Sequence, residues 1–227
     1  MNILFEDDYI LVCEKPAGIA TQAGRVTEKD MVSEVNNHMR KAGAKAPAYL
    51  IHRLDKPVKG VLIFAKNKQA AASLNKQLTT DNFEKKYYAL IEGRPEKASA
   101  KLSDNIYKDG NRAYIADIKQ TEEQHEIKHA ELMYSVASND IRDKVFSDYV
   151  SDENIENTAC LEIKLLTGRF HQIRCQLSNI SHPIVGDSLY GSKIECEKRK
   201  AIGLIAYSLS FKHPKTNKDM KFELDFN

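Results

Sequence analysis

Asp55 and Arg174 are the two residues of this 227-residue sequence that a purely structural account absorbs least easily. Phe170, Ile173, Leu177 and Ile180 recur at helical spacing, and Arg174 falls inside that apolar stripe. Its guanidinium therefore points inward, where it needs a carboxylate or phosphate, because an unpaired buried charge is strongly destabilising. A snorkelling arginine or a fold-fixing salt bridge is the alternative. Asp55 is a candidate partner: it lies beside Arg53 in a polar segment, residues 52–60, between two apolar runs, and loops on rigid scaffolds commonly present reactive groups. An ionised carboxylate there can act as a nucleophile or as a base, and neither role needs a metal. A turn aspartate bonding its own loop is the competing reading.

The surrounding elements are legible in outline. Residues 9–13 read as a short buried strand that closes in a turn at Lys15, Pro16 and Gly18. Asp30 reads as the N-cap of a helix carrying Met31, Val32, Val35 and Met39, with Gly43 as its stop. Residues 49–51 and 61–65 read as strands on either side of the Asp55 loop. Asn67 can cap a second helix with Ala70, Ala71, Leu74 and Leu78 on its apolar face. Residues 87–91, 130–136, 159–165, 204–211 and 220–226 give further strands, and residues near 138–158 form an acidic insertion of low hydrophobicity. Strands outnumber helices and hairpins dominate. The pattern predicts an α+β fold with a mixed, mostly antiparallel sheet and flanking helices, in a single domain without an internal linker.

Composition narrows the function less. The formal net charge is +2, so only local basic clusters, such as those around Arg53 and Lys85, could recruit a polyanion. No run of apolar residues is long enough to span a membrane, and no leader is expected. Cys13, Cys160, Cys175 and Cys196 are widely spaced with no CxxC pair, which predicts inert reduced thiols and a cytoplasmic protein. His125 and His129 stand four apart but lack a third ligand, so no metal is expected.

The segment His52-Arg53-Leu54-Asp55-Lys56-Pro57-Val58-Lys59-Gly60 resembles the signature loop of the RluA-type RNA pseudouridine synthase family. Three further stretches agree in order and spacing. They are Lys15-Pro16-Ala17-Gly18, Lys85-Lys86-Tyr87-Tyr88-Ala89-Leu90-Ile91-Glu92-Gly93 and Thr167-Gly168-Arg169-Phe170-His171-Gln172-Ile173-Arg174, the last followed by His182-Pro183, Gly186-Asp187 and Tyr190-Gly191. The resemblance implies a pseudouridine synthase fold with a central RNA-binding cleft. It makes Asp55 the catalytic aspartate, Tyr87 the tyrosine packed against the target base and Arg174 the arginine that pairs with the aspartate. Arg53 would enter the RNA stack as the uridine leaves it, and His52, Lys85, Arg169 and His171 would contact RNA. It further implies a monomer acting on structured RNA, transfer or ribosomal, without cofactor or metal.

Two departures stand out. Val58-Lys59 replaces the family's usual threonine-serine, and Leu204-Ile205-Ala206 replaces leucine-histidine-alanine. The family's common N-terminal S4-type domain is also expected to be missing, since the matched region starts almost at Met1. Two other readings remain open: a noncatalytic RNA-binding relative, and a glycoside or nucleoside hydrolase, which would require a second acid such as Asp187 near the first.

Overall fold

A computed structural model of the chain describes residues 1–24, 28–117 and 125–226. It is a mixed α+β structure with mostly antiparallel strands, as the hairpin-rich pattern predicts. Two compact units are present, one formed by Met1–Lys85 with Ile205–Asp225, the other by Lys86–Leu204 with Phe226. The crossings after Lys85 and after Leu204 fall inside strands rather than in a Gly- or Pro-rich linker. A sequence reading that looks for linkers therefore sees one domain.

The first unit is built on β1 (Asn2–Glu6), β2 (Ile10–Lys15), β4 (Lys59–Ala65), β10 (Leu204–Lys212) and β11 (Asp219–Glu223), neighbours in that order, with β3 (Tyr49–Leu50) also on β4. The apolar runs of β2 and β4 are almost wholly buried and pair antiparallel from Ile10 opposite Ala65 to Lys15 opposite Gly60. β4 and β10 run parallel, with Gly60 opposite Ala206. A Cβ on Gly60 would lie 2.4 Å from that of Ala206, so only glycine admits this approach. α1 (Met31–Lys41) buries Met31, Val35 and Met39 at successive turns. Its cap is Asp30, whose carboxylate accepts from the Ser33 and Ala23 amides at 2.7 and 2.5 Å. α2 (Lys68–Gln77) is capped by Asn67, whose side chain accepts from the Ala70 amide. Both caps stand where the sequence predicts them.

The second unit orders its strands β5 (Glu84–Glu92), β9 (Thr158–Leu165), β8 (Lys128–Val136), β6 (Ser99–Asp109) and β7 (Arg112–Ile115). β6 and β7 escape a reading based on hydrophobic periodicity because Ile106 is the one fully buried residue of β6. Their pairing comes from the ladder with β8 and from the hairpin turn at Gly110, which adopts a positive φ of 54°.

The acidic region near residues 138–158 has an apolar underside. It carries α3 (Asn139–Phe146) and the short α4 (Asp152–Ile155), and Val145, Phe146, Tyr149 and Val150 are buried beneath the acidic surface. Arg142 is buried with them, its Nε on Asp143 and its Nη1 on the Ile155 carbonyl. Averaging over the charged residues hides these four anchors. α5 (Gln172–Asn179) also begins later than its apolar stripe suggests, because His171 takes a left-handed conformation and leaves Phe170 exposed before the helix.

Candidate active site

The Asp55 loop is fixed through its backbone. Ile51, Leu54 and Val58 are buried, whereas Asp55 is half-buried and Arg53 and Lys56 are exposed. Anchors on both sides of the carboxylate thus hold the loop. Thr21 Oγ1 donates to the Leu54 carbonyl at 2.7 Å and accepts from the Leu54 amide at 3.0 Å. The Gly18 amide donates to the Lys56 carbonyl at 2.8 Å, and the Val58 amide closes a turn onto the Asp55 carbonyl.

Lys15 is the residue that sequence reasoning undervalued. It ends β2 with no exposed surface, and its Nζ donates to the carbonyls of Pro16, Ile19 and Lys56 at 3.0, 2.7 and 3.2 Å. One ammonium therefore ties the Lys15-Pro16-Ala17-Gly18 turn to the Asp55 loop. Burial pushes its pKa down to about 8, while the negative charge of Asp55 opposes that shift. The available signal was its place in a strand-to-turn motif, where a lysine reads more simply as a solvated turn residue.

His52 is enclosed by the fold. Both ring nitrogens are sealed from solvent and have no hydrogen-bond partner among the described residues. Burial, with the charge of Lys85 adding to it, pushes the imidazole down to about 3, so it is neutral at physiological pH. Its ring meets Phe83 edge-on. Neither nitrogen is presented to solvent. Lys85 is itself half-buried, and burial lowers its pKa.

In the second unit a polar network holds Arg174. Gln172 and Gln176 are buried on α5. Gln172 accepts from Thr167 Oγ1 and the Arg169 amide and donates to the Glu131 carbonyl, while Gln176 donates to Asp104. These bonds clamp α5 to β8 and β6. Arg174 is 5% exposed and Asp187 2%. Arg174 Nε donates to Asp187 Oδ2 at 2.6 Å and Nη2 to Oδ1 at 2.8 Å, a bidentate fork. Nη1 lies 2.9 Å from His171 Nε2. Since arginine can only donate, His171 Nε2 is unprotonated and Nδ1 carries the hydrogen, which donates to Tyr190 Oη at 3.1 Å. Tyr190 Oη also accepts from the Ala113 amide at 2.7 Å.

Both imidazole nitrogens of His171 are thus engaged inside the unit, and the ring brackets Arg174 and Tyr190. Arg169 is exposed, with Nε on the His129 carbonyl. Tyr87 is buried and Tyr88 half-buried, the ring of the latter against Phe226. The guanidinium partner that the helical stripe demands is, within this unit, Asp187. The short helix Ser188–Tyr190 that follows it starts in a turn where Gly186 has φ 79° and a Cβ would meet that of Cys196 at 2.4 Å.

A family model described as RNA pseudouridylate synthase matches residues 9–179, a stretch that contains Asp55, Tyr87 and Arg174. The chain belongs to this family. An uncharacterized RNA pseudouridine synthase of Mycoplasma pneumoniae is 31% identical over 98% of this chain and 66% of its own length. The dual-specificity RNA pseudouridine synthase RluA of Vibrio vulnificus is 31% identical over 95% of this chain and 79% of its own. This chain thus spans about two thirds of the first of these relatives and more of the second. Among solved structures, human RNA pseudouridylate synthase domain containing 4 superposes with a TM-score of 0.72 at 20% identity, covering 99% of this chain and 88% of that one. The fold is therefore that of pseudouridylate synthase domains.

This family member's departures have local explanations. Val58 is buried in the core, and Lys59 Nζ pairs with Glu14 Oε1 at 2.9 Å. The replaced hydroxyl positions are thus absorbed into the packing of the first unit, and the added charge is matched by a neighbouring strand. Ala206 is the close contact of Gly60, so the alanine shared with the family's leucine-histidine-alanine keeps a backbone approach.

Proposed function

We propose that this chain isomerises specific uridines in structured RNA, transfer or ribosomal, to pseudouridine, with Asp55 as the essential carboxylate. The observation that carries this reading is the placement of Asp55 in the family loop: half-buried, between buried anchors, in the field of the buried Lys15 ammonium. The reaction breaks the bond between N1 and C1′, turns the uracil and joins C5 to C1′. The C5 proton then leaves and N1 gains one, so substrate and product are isomers. The target must leave its stack to expose C1′ and C5 to one pocket, which costs on the order of a few kcal/mol.

In this reading Asp55 acts on the ribose as nucleophile or as base, and Tyr87 packs against the base. Arg174, held by Asp187 and His171, orients Asp55. Arg53 enters the stack in place of the flipped uridine, and Lys85 and Arg169 meet phosphates. The two units then work as one catalytic domain in a monomer that acts in the cytoplasm. No helix among the described residues is long and apolar enough to cross a membrane, and the four cysteines are free thiols, which is compatible with that compartment. The hydrolase reading weakens because Asp187, its candidate second acid, has both oxygens on Arg174.

Tritium release from RNA labelled at C5 of uridine tests the proposal. Wild type releases label and Asp55→Asn does not. Equal release by both rules out Asp55 as the catalyst, and RNA binding without any release by wild type supports the noncatalytic relative.

A further inference from the structure

Arg112 stands outside every role assigned above. It opens β7 directly after the hairpin turn, and its guanidinium carbon lies 5.0 Å from the Tyr190 ring centroid and 5.2 Å from that of Tyr114. Its Nε is buried without an acceptor, and among the described residues Arg112 makes no hydrogen bond or ion pair. Asp109 is its register partner across the turn, yet the guanidinium turns onto the two rings instead. The terminal Nη donors of a guanidinium held this way have no acceptor among the described residues, and a phosphate is an anion whose oxygens suit them.

Its neighbourhood suits a nucleic acid strand. Tyr114 is 37% exposed and stacks on Tyr107, which stacks in turn on His125. Phe170 is 36% exposed and carries Lys108 Nζ 4.9 Å from its ring centroid. Exposed rings interleaved with cations provide stacking faces for bases and positive charge for a backbone. The surface also reaches the candidate site through side chains of the same unit. Arg174 lies 4.9 Å from the Tyr190 centroid, so Arg112 and Arg174 are one ring apart, and Phe170 stacks on His171 at 3.9 Å.

We propose that Arg112 binds an RNA backbone phosphate beside the flipped uridine, with Tyr114 as a stacking face for a neighbouring base. The inference rests on the pseudouridine synthase reading above, so its test needs a readout independent of turnover. That readout is RNA binding by the full chain, followed by fluorescence anisotropy across a salt series with one labelled RNA stem-loop. It is run for wild type, Arg112→Gln, Arg112→Lys, Tyr114→Ala and, as a control, Lys41→Gln on the exposed end of α1.

Arg112→Gln weakens binding and raises KM about tenfold, the scale of one charge-assisted hydrogen-bonded contact. It leaves kcat within about twofold and flattens the logarithmic salt dependence by about 0.7 to 0.9, the value of one lost phosphate neutralisation. Arg112→Lys restores the salt slope, Tyr114→Ala weakens binding without changing the slope, and the control matches wild type. An unchanged slope and KM in Arg112→Gln, with or without a lower melting temperature, makes Arg112 a structural support for Tyr190 and overturns the proposal. A loss confined to kcat also overturns it, since Arg112 would then act through Tyr190 on Arg174. If Arg112→Gln fails to fold, the slopes of Arg112→Lys and Tyr114→Ala decide: a slope kept by the first with binding weakened by the second supports the proposal, and any other pair overturns it. A wild type that binds RNA but releases no tritium counts against the enzymatic reading while leaving the slope test in force.

Discussion

The loop that carries Asp55 and the helix that carries Arg174 are held in opposite ways. Around Asp55 the fold grips the backbone: Thr21, Gly18 and the Lys15 ammonium all bond to main-chain groups of residues 54 and 56, and the carboxylate is left half-buried. Around Arg174 the fold grips the side chain, which is forked onto Asp187, bonded to His171 and stacked on Tyr190. The first arrangement holds the loop by its main chain. The second fixes a charge in one orientation, at the cost of burying an ion pair that only a complete network can sustain.

This contrast predicts different consequences for mutation in the two segments. Asp55→Asn keeps the loop's backbone bonds, so it should abolish tritium release by about a thousandfold or more while leaving the melting temperature within a degree or two. A large loss of stability would show that the carboxylate is part of the scaffold. Asp187→Asn should do the reverse first: it leaves a buried guanidinium short of its counter-charge and should destabilise the fold by about 3 kcal/mol or more in denaturant titration. Adding Arg174→Met should recover much of that loss without recovering activity. Additive losses would mean that the pair is not coupled.

Smaller effects sharpen the same comparison on the scaffold side. Gly60→Ala forces a Cβ against Ala206 and should cost about 1–3 kcal/mol, whereas Ala206→Gly in the same chain should return part of it. A neutral Gly60→Ala would mean that the β4–β10 approach is looser than described. Lys15 gives the smallest effect, a slope with pH. Its ordinary value is 10.5 and its folded value about 8, so between these the unfolded chain binds more protons than the native one. Stability should therefore rise as pH increases through that window, by at most about 1.4 kcal/mol per pH unit. Lys15→Met should lack the rise, and a matching slope in both proteins would assign it to other groups.

Much of the scaffold was legible because it rests on local rules. Asp30 and Asn67 cap where a polar residue precedes a helical stripe, and β2 and β4 are apolar runs bounded by turn residues. β6, β7 and the buried part of residues 138–158 were not legible, because their partners lie far along the chain and few of their residues are buried. Phe170 misled for a related reason: its spacing fits the helix, but the left-handed His171 separates it from that helix.

The sequence alone determined that Arg174 faces inward and that Asp55 sits in a loop between core strands, since helical spacing and turn chemistry act over a few residues. The motif order also identified the family. Only the tertiary structure decided that Asp187 takes the Arg174 fork, that His171 and Tyr190 lock it, that the His52 nitrogens are sealed from solvent, and that Lys15 is a buried tie beneath the Asp55 loop. Each of these depends on which polar atoms are desolvated together, a property of the packed chain that residue type and spacing do not encode.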